Sequence, residues 1–147
     1  MNNQNIRLLL VEDDPLNQMV TTNVLKRLGV TVTIARTGSE ALSMITTKAF
    51  HLILMDLFIP VIDGAELTKR VRALDDFYFK SVPIIAFTAC DEKDAWISVH
   101  ASGMTDLLTK PFGVAEMKNI LMKYTNPEGV LVTSGQSMYS EGTHKYR

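Results

Sequence analysis

The sequence predicts an α/β fold: a doubly wound parallel sheet with helices on both faces. Three observations carry that expectation. Short apolar runs alternate with segments of helical periodicity from one end of the chain to residue 124. The runs 8–11 and 52–55 are continuously apolar, as strands covered on both faces must be. Four of the runs end on groups with chemical potential, namely Glu12 with Asp13, Asp56, Thr88 and Lys110. In a parallel sheet such ends share one edge, where ligands of these folds bind.

The first strand, ending at Val11, leads through Glu12-Asp13-Asp14 into a helix with Asp14 as N-cap and Pro15 at the first helical position. Its apolar stripe reads as Leu16, Met19, Val20, Val24 and Leu28, and Gly29 stops it. Residues 31–35 alternate like a half-buried edge strand. Thr37 and Glu40 then form a capping box for a helix that buries Ala41, Leu42, Met44 and Ile45. The third strand delivers Asp56 to its tip. Asp63 caps the next helix, whose buried face is Leu67, Val71 and Leu74. The fourth strand, 83–87, ends on Thr88, and Asp91 caps a helix closed by Gly103. The fifth strand, 106–109, ends on Lys110-Pro111, and the last helix, 114–123, turns Met117, Ile120 and Leu121 inward. Five strand and helix pairs imply right-handed crossovers and, in flavodoxin-like (βα)5 order, a sheet 2-1-3-4-5.

The 147 residues make one domain of common size, with boundaries expected at 5–124. The segment 125–147 is turn-rich and is expected to be a disordered tail. Fifteen basic and sixteen acidic residues leave a net charge of −1, which calls for neither nucleic acid nor an anionic membrane. The single cysteine, Cys90, cannot staple the fold. There is no signal-peptide plan and no apolar run of about 20 residues, so a cytoplasmic location without membrane insertion is expected.

If strands 1 and 3 are neighbours, Asp13 and Asp56 stand about 4.8 Å apart and can share a cation. Like charges at 4 Å repel by roughly 4 kcal/mol at an effective dielectric near 20, so either protons are retained or a divalent ion binds. An all-oxygen site with open positions suits Mg2+, and no His or Cys cluster favours zinc. Lys110 can reach across strand 4. Its ammonium, the Thr88 hydroxyl and a metal around one carboxylate would form a cradle for a phosphoryl group, with Asp56 as nucleophile.

These residues resemble the motifs of response-regulator receiver domains of two-component phosphorelays, over about residues 5–124. The matching stretches are Leu-Val-Glu12-Asp13, Leu-Met-Asp56 with Pro60 and Asp63-Gly64, Phe-Thr88-Ala and Thr-Lys110-Pro-Phe112, in order and at fitting spacing. The resemblance implies that Asp56 is the phosphoacceptor for a phosphohistidine. It implies that Glu12 and Asp13, with the Phe58 backbone carbonyl, hold Mg2+ beside Asp56, and that Thr88 and Lys110 bind the phosphoryl group. Leu16-Asn17-Gln18 is similar to receivers that belong to, or serve, hybrid histidine kinases. Such a domain is not an enzyme in the ordinary sense, although it promotes its own aspartyl phosphorylation and dephosphorylation. Its expected partners are a histidine kinase or histidine phosphotransfer domain and, weakly, a second copy of itself on phosphorylation. The alternative is a metal-independent pseudo-receiver acting as an adaptor.

Two positions depart from the family pattern. Leu107 stands where an aromatic residue is usual, three before the lysine, which bears on the threonine and aromatic switch. Phe58 and Cys90 stand two beyond Asp56 and Thr88, where polar groups can guide a hydrolytic water, so a long-lived aspartyl phosphate is expected. Trp96 reads equally as half-buried packing or as a partner-facing aromatic.

Overall fold

The computed structural model describes residues 6–59, 61–89 and 91–125. Five parallel strands, β1 (Arg7–Val11), β2 (Thr31–Ala35), β3 (Leu52–Asp56), β4 (Ile84–Thr88) and β5 (Asp106–Thr109), pair in the order 2-1-3-4-5. This is the order expected from the sequence. The register sets Val11 beside Met55 and Asp56 beside Phe87, so the carboxyl ends of β1, β3 and β4 are level. The expected tail 125–147 lies outside the described residues, apart from Thr125 at the end of the last helix.

Alternation along the strands divides the core into two layers. Leu9, Val11, Ile53, Met55, Ile84 and Ala86 face α2 (Gly38–Thr47), α3 (Gly64–Arg72) and α5 (Glu92–Ser102). Leu8, Leu10, Leu52, Leu54, Ile85 and Phe87 face α1 (Pro15–Arg27) and α6 (Val114–Thr125). The central strands β3 and β4 are buried along their whole length, which is why their sequences are unbroken apolar runs. Each fully buried Leu or Ile there contributes about 1.5–3 kcal/mol.

The helix starts obey local chemistry. Asp14, Asp63 and Asp91 accept the backbone N–H groups of Asn17, Glu66 and Lys93. Gly103 ends α5 with φ +92°, a left-handed value suited to glycine. At α2, Thr37 accepts from the Glu40 N–H, but the Glu40 carboxylate reaches back to the Arg36 N–H instead of to the cap residue.

Two expectations are corrected. The buried residues of α1 are Gln18, Thr21 and Leu25, whereas Leu16, Met19 and Val20 are exposed and Val24 and Leu28 only partly covered. The helix is turned so that a stripe containing two polar residues faces the sheet. A short extra helix, α4 (Phe77–Ser81), also follows α3. Five residues are too few to show a helical period. It is fastened by tertiary bonds: the Phe50 N–H donates to the Tyr78 hydroxyl at 2.8 Å, and Arg72 donates to the Phe79 carbonyl at 3.0 Å.

Candidate functional site

The site forms where three strands end. Beyond β1, Glu12 is buried while Asp13 is exposed. Asp56, the last residue of β3, is buried beside them. One carboxylate oxygen from each of these three residues lies within 4.8 Å of the others. The Asp56 carboxylate is held by the Phe58 N–H at 3.0 Å, so the loop after β3 folds back over its own acid. The start of α3 packs against the end of β3 with no room for a side chain: a Cβ on Gly64 would stand 2.3 Å from the Asp56 carbonyl oxygen.

Lys110 arrives from the end of β5, across β4 and β3. Its Nζ is 3.3 Å from Oε1 of Glu12 and 3.8 Å from Oδ2 of Asp56, and 4.6 Å from the centre of the Phe87 ring. The ring shields one side of the ammonium and strengthens its attraction to the acids. The peptide bond between Lys110 and Pro111 is cis. Thr88 is buried at the end of β4, level with Thr109, and its carbonyl accepts the Lys110 N–H at 2.9 Å.

Burial pushes the Glu12 carboxyl above the ordinary carboxylate range. The Asp14 N–H at 3.1 Å opposes this, Asp56 reinforces it, and Lys110 opposes it. Burial wins because Glu12 is 1% exposed. One ammonium against three carboxylates leaves the cluster short of positive charge. An all-oxygen donor set of this kind fits a hard divalent cation such as Mg2+.

The structure thus brings together Glu12, Asp13, Asp56 and Lys110 as the strand ends suggested, and puts Thr88 at the same edge. Phe58 contributes its N–H to Asp56, while the residue is 65% exposed and its side chain lies open to solvent. Sequence reasoning missed two contributors. Phe87 lies under Lys110, and Gln18, buried on α1, donates from Nε2 to the Glu12 carbonyl at 2.7 Å. The signal for Gln18 was a polar residue inside an amphipathic helix, and it was masked by the more prominent apolar residues around it. Leu107 packs at the edge of the core on the α5 side, and Trp96 is half-buried, stacked on His100 with ring centres 5.6 Å apart.

Residues 8–122 match the family model of the response regulator receiver domain. The chain belongs to that family. As a receiver domain it is a phosphoacceptor module of two-component signal transduction. It is 33% identical over 120 residues to the sensor protein GacS of Pseudomonas syringae, covering 81% of this chain and 13% of that one. It is 35% identical over 116 residues to the transcription factor SKN7 of Saccharomyces cerevisiae, covering 79% of this chain and 18% of that one. The receiver therefore spans only a small part of these curated relatives. Among solved structures, it is similar to the receiver domain of a Pseudomonas aeruginosa sensor histidine kinase with magnesium coordinated in its active site cleft. The TM-score is 0.75 with 38% identity, covering 82% of this chain and 97% of that one. A second similar structure is the Saccharomyces cerevisiae complex of the histidine phosphotransfer protein Ypd1 with the receiver domain of Ssk1. The TM-score is 0.76 with 28% identity, covering 86% of this chain and 92% of that one. No helix among the described residues is long and apolar enough to cross a membrane.

Proposed function

We propose that Asp56 is the residue that accepts the phosphoryl group, within a receiver unit spanning residues 5–124. A carboxylate oxygen of Asp56 bonds to phosphorus as the bond from phosphorus to a histidine nitrogen breaks, and the freed imidazole nitrogen takes up a proton. The observation that carries this reading is the placement of Lys110 Nζ against both Glu12 and Asp56 in a cluster of three carboxylates. Glu12, Asp13 and Asp56, with the Phe58 carbonyl, would hold Mg2+, which supplies positive charge to offset that on the incoming oxygens. Lys110 moves between carboxylate and phosphoryl oxygens by rotation of its side chain, and Thr88 offers a hydroxyl to the same group. Both are positioned by strand ends, so little reorganisation is needed when charge arrives.

The partner that supplies the phosphoryl group carries a phosphohistidine, on a kinase or on a phosphotransfer domain. Leu16, Met19 and Val20 of α1 and the Phe58 ring are exposed apolar groups, and they offer such a domain a surface to bury. The likeness to a receiver solved with the histidine phosphotransfer protein Ypd1 supports a phosphotransfer partner. This activity, and a cytoplasmic setting, fit a chain that reads as a signalling module. The test is incubation with acetyl phosphate, with and without Mg2+, followed by intact-mass and peptide analysis. One phosphoryl adduct on Asp56 that requires Mg2+ is expected. Absence of an adduct, or an adduct on another carboxylate, overturns the assignment.

A further inference from the structure

We propose that Gln18 is a positioning residue for the metal site, acting through its hydrogen bond to the Glu12 carbonyl to aim the Asp13 carboxylate. This rests on the reading of the acid cluster as a Mg2+ site. The donor is the side-chain amide of a residue only 7% exposed, and the bond is 2.7 Å long. Gln18 occupies the first place on the sheet-facing stripe of α1, followed by Thr21 and Leu25. A buried amide left unbonded is costly, so its orientation is dictated by the one acceptor it serves.

The effect on the site follows from which atoms are tied. The Glu12 N–H donates to the Ala35 carbonyl at 3.0 Å, and its carboxylate is held by the Asp14 N–H at 3.1 Å and by Lys110 at 3.3 Å. The Glu12 carbonyl belongs to the peptide plane that joins Glu12 to Asp13, and Gln18 is the group that fixes that plane. Asp13 itself is exposed, and its carboxylate has no hydrogen-bond or ion-pair partner among the described residues. Its aim therefore depends on the peptide behind it. Glu12, anchored through its own carboxylate, does not need Gln18 to the same degree. The hydrogen bond is a support to the ligand set of the kind that orients metal ligands without touching the metal.

Gln18→Met keeps the volume and removes the donor. Titration of the whole chain with MgCl2, followed by the amide signals of Asp13 and Asp56 in nitrogen-15 spectra and by calorimetry, reads the affinity without reference to phosphorylation. The expected result is a Mg2+ affinity weakened by roughly tenfold. The Asp13 amide signal should move in the metal-free variant more than the Asp56 signal does. If Gln18→Met does not fold, Gln18→Asn, whose amide stops one methylene short, is titrated in its place with the same expectation. A variant that melts lower than the parent yet binds Mg2+ equally well shows Gln18 to be a buried amide of structural use only, and overturns the proposal. A parent protein that binds no Mg2+ is a different failure, of the metal reading itself.

Discussion

Lys110 Nζ stands 3.3 Å from Oε1 of Glu12, joining residues 98 apart in sequence at the edge of the sheet. Glu12 is 1% exposed, and its partner's side chain 19%. Removing one member of such a pair leaves the other buried without compensation. Lys110→Met is therefore expected to lower metal-free stability by about 2–3 kcal/mol, and Mg2+ should recover much of that loss by replacing the missing positive charge. Urea unfolding with and without the metal measures both. Equal stability of variant and parent in metal-free buffer would show the pair to be inconsequential.

Asp56→Asn should accept no phosphoryl group from acetyl phosphate while keeping its fold. The amide can still take the Phe58 N–H through its oxygen, and it relieves repulsion against Glu12 and Asp13. Metal-free melting temperature should stay level or rise. Labelling of the variant at the parent's rate would move the nucleophile elsewhere.

The pH dependence follows from two opposed groups. Glu12 titrates above its ordinary 4.5 because it is buried, so between the two values the folded chain binds more proton than the unfolded one. Its contribution is fully present below the ordinary value and is lost as pH rises through the raised one. His51 titrates below its ordinary 6.5, through burial and then the nearby charge of Arg7, and its Nδ1 accepts the Arg7 N–H at 2.9 Å. Its contribution is present above 6.5 and is lost as pH falls. The quantity to measure is thus the stability difference between the parent and Glu12→Gln without metal. The parent should gain on the variant as the solution is made more acid from neutrality, and saturating Mg2+ should reverse the trend. A difference that does not change with pH would contradict the burial argument.

Phe58 stands where a polar group could guide a hydrolytic water, and the residue is 65% exposed. That orientation favours contact with a partner over protection of phosphorus. Phe58→Ala should leave the acetyl phosphate reaction and the rate of phosphate loss near those of the parent, within about twofold. It should slow transfer from a phosphotransfer domain by roughly tenfold, the cost of about 1.4 kcal/mol of lost apolar burial. Single-turnover transfer kinetics beside spontaneous hydrolysis separate the two roles. Faster hydrolysis with unchanged transfer would instead show that Phe58 shields the phosphorus from water.

Arg72 ties three elements together. It donates to the Gly103 carbonyl at 2.9 Å, the Phe79 carbonyl at 3.0 Å and the Thr105 hydroxyl at 3.3 Å, while its own carbonyl accepts from Lys80 at 2.9 Å. Arg72→Leu should destabilise by about 2–3 kcal/mol, because backbone acceptors near the core lose a charged donor. Chemical denaturation gives the figure. A loss below about 0.5 kcal/mol would mean that water takes over these acceptors.

The sequence by itself determined what depends on neighbours a few residues apart. The caps Asp14, Asp63 and Asp91 and the stop at Gly103 are recorded in the chain because a side chain there meets a backbone group within one turn. The unbroken apolar runs of β1 and β3 determined a sheet covered on both faces, and parallel order then brought the acids and Lys110 to one edge. Only the tertiary structure decided the roll of α1. Leu16, Met19 and Val20 have helical spacing as good as that of Gln18, Thr21 and Leu25, and periodicity fixes the angle between residues on a helix but not the side that meets the sheet. Packing of Leu25 and the bond from Gln18 to Glu12 chose the second stripe and left the first exposed. The outward turn of Phe58, the attachment of α4 through Tyr78 and Arg72, and the shielding of Lys110 by Phe87 were decided in the same way. Each is a contact between elements whose separation in space no local pattern encodes.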